Sequence, residues 1–84
     1  MLLEAFDKKG TKYKVGMEVL VLGHINKWYI IDLEIDSTNK LNKISLINQE
    51  MNECIDIYNP DNVRLTGIYE PDIFKLKKKL AGKK

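Results

Sequence analysis

Eighty-four residues, 44% apolar and 31% charged, fit one small soluble domain with a modest core and leave little room for a deep catalytic cavity. The formal net charge of +2 hides a split: residues 1–70 carry eight Lys/Arg against eleven Asp/Glu, whereas residues 71–84 carry six lysines and one aspartate. Cys54, the only cysteine, excludes an internal disulfide and a thiolate zinc site, and no stretch approaches the ~20 apolar residues of a membrane span.

The chain opens MLLEAFDKKG, a short apolar run broken at Glu4 with no basic region before it, so no secretory leader is expected. Together with the unpaired Cys54 this predicts a cytoplasmic protein with no membrane partner. Residues 1–12 are expected as an N-terminal strand or extension. From Gly16 to Gly23 a β-branched run bounded by glycines predicts a strand with Met17, Val19 and Val21 on one face and Glu18, Leu20 and Leu22 on the other. Lys27 to Asp36, KWYIIDLEID, alternates more cleanly: Tyr29, Ile31, Leu33 and Ile35 are expected inside, with Trp28, Ile30, Asp32, Glu34 and Asp36 outside.

The polar run 37–42 predicts a hairpin loop, after which KISLINQ (43–49) resumes alternation through Ile44 and Leu46. A turn at 50–53 leads to Cys54–Tyr58, with Ile55 and Ile57 inward. Asn59-Pro60-Asp61-Asn62 must interrupt pairing, because Pro60 has no N–H and asparagine and aspartate favour turns. Val63–Gly67 supplies a fifth strand. Pro71, Asp72 and Gly82 then punctuate a helix over 71–81, within a C-terminal segment 70–82, with Ile73, Phe74, Leu76, Leu80 and Ala81 on one side and Lys75, Lys78 and Lys79 opposite. Such a helix is expected to cover Leu20, Leu22, Trp28 and Ile30.

Five short strands with tight turns describe a mainly β, five-stranded antiparallel barrel with a short amphipathic helix behind it. Over residues 13–68 the chain resembles the SH3-like barrels. The matching features are Val15-Gly16-Met17-Glu18-Val19, the long second strand, the hairpin at 37–42, and Ile55 to Val63, where such barrels place a single 3₁₀ turn. The resemblance implies a binding domain, since SH3-like folds take peptides, histone tails, ribosomal components or nucleic acid, and some serve as phage or plasmid accessory proteins. Isoleucine, lysine and asparagine supply thirty residues, as AT-rich coding DNA does, in keeping with such a source. Ile57-Tyr58 before the last turn is also similar to the plasmid-encoded type II dihydrofolate reductases, but their pattern has glutamine ahead of that pair where Asp56 stands here. The expectation is therefore non-enzymatic, with no cofactor and no metal.

Asp32, Glu34 and Asp36, with Asp56 nearby, predict an acidic strand face suited to a basic protein partner, and Trp28 and Tyr58 are its candidate aromatic contacts. Asp32-Leu-Glu-Ile-Asp36 lacks the glycine and polar spacing of a calcium loop. Tyr13 and Tyr69 are further candidates for a groove rim. His24 has no histidine or cysteine partner for zinc. The alternative is phosphate contact through Lys75, Lys78, Lys79, Lys83 and Lys84, with only one arginine, Arg64, to assist. A monomer or weak homodimer is expected.

Overall fold

The computed structural model describes residues 2–72. They form two antiparallel sheets. β1 (Glu4–Phe6) and β2 (Lys12–Lys14) pair as a hairpin, while β3 (Met17–Val21), β4 (Lys27–Ile35), β5 (Leu41–Asn48), β6 (Cys54–Ile57) and β7 (Val63–Tyr69) make one five-stranded sheet in the order β6-β5-β4-β3-β7. Strands β3 to β6 are sequential neighbours because short hairpins join them. A 3₁₀ turn at Pro60–Asn62 then redirects the chain, and β7 returns to pair with β3.

The expected closed barrel is corrected to an open sheet: among the described residues no pairing joins β6 to β7. β6 has only four residues, and Pro60, without an N–H, stands shortly after it. Residues 1–12, expected as a strand or extension, supply β1 and the first residue of β2. Ala5, Tyr13 and Val15 from this N-terminal region join the same apolar cluster as Val19, Ile30, Leu33, Ile44 and Leu46. The helix expected at 70–82 lies almost wholly outside the described residues, which end in a turn at Pro71 and Asp72.

The largest departure from simple alternation lies in β4. Ile30 opposes Leu46 and Asp32 opposes Ser45, so β4 advances two residues while β5 advances one, a bulge at Ile31. A bulge shifts the side-chain phase. Trp28 and Ile30 before it and Leu33 after it therefore all turn inward, with exposures of 1%, 0% and 2%. The expected outward placement of Trp28 and Ile30 is thus corrected, and Tyr29 and Ile31, expected inside, are half-buried instead. A second shift leaves Asn42 as the extra residue of β5, since Glu34 opposes Lys43 and Ile35 opposes Leu41. Leu41 and Ile44, three apart, are both buried, whereas Ile35, expected inside, is exposed.

Polar groups close the gaps in the ladder. Glu18 is buried, and its carboxylate accepts from Thr66 Oγ1 at 2.9 Å and from the Tyr29 hydroxyl at 3.3 Å, tying β3 to β7 and β4. Burial, then the Glu18 charge and hydrogen bond, raise the Tyr29 hydroxyl above the ordinary tyrosine range. Asn48, also buried, holds the β5–β6 turn: its Oδ1 accepts from Asn52 N at 3.0 Å and its Nδ2 donates to Asn52 Oδ1 at 2.6 Å.

Candidate functional site

On the outer face of the sheet, register brings carboxylates together from separate strands. Asp32 on β4 opposes Ser45 on β5, which opposes Asp56 on β6. Ser45 Oγ donates to Asp56 Oδ1 at 2.9 Å. The neighbouring row holds Glu34 opposite Lys43, whose Nζ reaches Glu34 Oε2 at 2.7 Å. Three carboxylates around one ammonium leave this face net negative. The hydrogen bond from Lys43 to Glu34, reinforced by the charges of Glu34 and Asp56, holds the Lys43 ammonium above the ordinary lysine range.

Tyr58 follows β6 directly and is 67% exposed. It also borders a cleft of about 350 Å³ between the β1–β2 turn, the β4–β5 hairpin and the segment around Pro60. Each of these three loops is fixed by an acceptor of its own. Asp7 Oδ1 accepts from Lys9 N and Thr11 N, both at 2.9 Å, while its Oδ2 accepts from the Tyr13 hydroxyl at 3.3 Å. Asp36 Oδ1 accepts from Thr38 N at 2.8 Å, Thr38 Oγ1 at 2.6 Å and Lys40 N at 3.1 Å. Asn59 Oδ1 accepts from Asp61 N at 3.0 Å. These are Asx turns, in which a short side chain replaces the backbone acceptor that the turn lacks.

The same contacts set the charge states. Asp36 is held below the ordinary carboxylate range, first by the Thr38 hydroxyl and then by the backbone N–H groups of Lys40 and Thr38. Tyr13 is pushed up to about 12 by burial, then by the charge and hydrogen bond of Asp7. An exposed ion pair, Lys9 Nζ to Asp61 Oδ1 at 3.0 Å, spans from the β1–β2 turn to the 3₁₀ turn.

Of the residues expected to form a binding face, the fold gathers Asp32, Glu34, Asp56 and Tyr58 on the β4–β6 side. Asp36 lines the cleft instead, with its carboxylate oxygen engaged by its own hairpin. Trp28 is absent from the surface: it lies inside, its ring edge-to-face with His24 at 5.4 Å, and its Nε1 has no hydrogen-bond partner among the described residues. Tyr13 is buried. Tyr69 is exposed, with Lys14 Nζ 4.8 Å from its ring centre. Lys75, Lys78, Lys79, Lys83 and Lys84 lie outside the described residues. Lys43, Ser45 and Asp7 were not among the expected residues. The alternation of KISLINQ already places Lys43 and Ser45 on one outer face, and Asp7-Lys-Lys-Gly10 carries a turn signal.

No group of three or more His, Cys, Asp or Glu side chains among the described residues is placed to hold a metal ion, and no described helix is long and apolar enough to cross a membrane. Comparison with known proteins finds no matching family model, no matching curated protein and no matching solved structure.

Proposed function

We propose that this chain is a non-enzymatic protein-interaction module of SH3-like architecture, which takes a basic segment of a partner on the outer face of β4–β6. The observation that carries this reading is the cross-strand row Asp32, Ser45, Asp56, continued by Glu34 and leading to Tyr58 at the rim of the cleft. A lysine- or arginine-rich segment laid along that face meets carboxylates held at fixed spacing, with an exposed aromatic ring beside them. The return of β7 to β3 after a single 3₁₀ turn supports the SH3-like part of the reading. The abundance of isoleucine, lysine and asparagine fits a low-GC bacterium, its plasmid or its phage as the source, and the SH3-like resemblance then suggests an accessory or host-interaction role in a phage or mobile element.

The test is binding of a fluorescent lysine-rich peptide by anisotropy. The affinity is expected to drop at least about tenfold, equivalent to ~1.4 kcal/mol, in the Asp32→Lys, Glu34→Lys double variant. It is expected to weaken as salt rises. Unchanged Trp28 emission serves as the control for folding. Equal binding by the double variant, or a duplex DNA probe bound more tightly than the peptide, would overturn the reading.

A further inference from the structure

The β3–β4 hairpin leaves three aliphatic side chains in water: Leu20 is 38% exposed, Leu22 78% and Ile25 98%. Val19 and Val21 turn into the core, so Leu20 between them faces outward. Register places Leu20 between Lys27 on β4 and Arg64 on β7, a leucine flanked by two cations in one cross-strand row. The ion pairs among the described residues are Lys9–Asp61, Lys12–Glu4 and Lys43–Glu34, so neither Lys27 nor Arg64 has a carboxylate partner there.

Beside this row lies a groove of about 410 Å³, walled by Leu20 and Leu22 on one side and by Asn62, Val63 and Arg64 on the other. The Leu22 N–H donates to the Asn62 carbonyl at 2.9 Å and fixes the two walls together. Asp61 also borders the groove, but its carboxylate is paired with Lys9. A single exposed leucine is ordinary, whereas adjoining exposed aliphatics beside a concave, cation-edged groove mark a contact surface.

We propose that this groove is a second docking surface, for an acidic amphipathic segment of a partner protein. An aliphatic side chain of that segment lies against Leu20 and Leu22, one flanking carboxylate meets the fork of Arg64, and another reaches the Lys27 ammonium across Leu20. The concavity favours a side chain over a flat bilayer, and one cation at the groove edge with a second across Leu20 suits carboxylates beside an aliphatic group better than a run of phosphates. The surface is separate from the acidic β4–β6 face and carries the opposite charge.

The test is a nitrogen-15 NMR titration of the full chain with a ten-residue peptide of glutamates carrying two leucines. Shifts are expected at Leu20, Leu22, Lys27, Val63 and Arg64, and the affinity should fall at least about tenfold in Arg64→Glu and in Leu22→Asp. Both positions are solvent-exposed, and Trp28 emission checks the fold. Binding of the lysine-rich peptide at the acidic face should persist in both variants, which separates this proposal from the one above. Four results would overturn it: no shift at millimolar peptide, equal shifts with a leucine-free glutamate peptide, equal binding to phosphatidylserine vesicles, or displacement of the Leu20 and Leu22 resonances by Phe74→Ser with Leu76→Ser alone. The last would assign the groove to the chain's own C-terminal segment.

Discussion

At Gly16 the backbone takes a φ of 102°, and the space where a Cβ belongs is filled by the Glu70 carbonyl. The same residue donates its N–H to the Ile30 carbonyl at 2.8 Å and accepts the Glu70 N–H at 2.7 Å, joining the start of β3 to β4 and to the end of β7. Gly16→Ala is therefore expected to destabilise the protein by more than about 1 kcal/mol, through both the left-handed conformation and the collision. A lowered urea midpoint at unchanged slope is the measurement. Tyr13 makes a second prediction. It keeps its proton to about 12 against an ordinary 10.0, so between those pH values the folded protein binds more protons than the unfolded chain. The associated stability is complete below pH 10 and is lost as pH rises towards 12. The melting temperature should fall across that window, and Tyr13→Phe should shallow the fall.

Among the elements, β4 shows how one inserted residue governs a fold. With Ile31 bulged out as the extra residue, Trp28, Ile30 and Leu33 share the interior; were the same residues paired without a bulge, the two halves of the strand would present opposite faces to the core. Deletion of Ile31 is therefore expected to leave unfolding cooperative and Trp28 emission unshifted, because Trp28, Ile30 and Leu33 then alternate in a regular strand, and denaturant unfolding followed by Trp28 fluorescence checks it. The existence and limits of β4 were legible from alternation in KWYIIDLEID, but its phase was not. Ile30 and Ile31 are both apolar, so the sequence pattern accepts either face for each, and only pairing with Leu46 and Ser45 distinguishes them. For Asp32 and Glu34, beyond the bulge, the expected outward placement stands, because Leu33 between them is unambiguous. Their meeting with Asp56 could not be read from the chain, since it depends on the register of three strands.

Over the whole molecule, support is uneven. Ile44 and Leu46 on β5 are fully buried and flanked by β4 and β6, whereas β6 and β7 are edges of the open sheet. Amide exchange should accordingly be slowest in β4 and β5 and faster along β6. Ile44→Ala is expected to cost about 2–5 kcal/mol, measured by denaturant unfolding. The architecture was largely legible, since five strands and the break at Pro60 follow from alternation and turn chemistry. The open edge was not, because whether the last strand meets β6 or only β3 is set by how far each runs before a turn.

The three loops around the cleft depend on Asp7, Asp36 and Asn59, each of which satisfies its own backbone and asks little of the others. The mouth is therefore modular. A loop that keeps its Asx residue and its length can exchange the remaining side chains while the sheet beneath stays as it is, so the lining of the cleft can be rewritten one loop at a time.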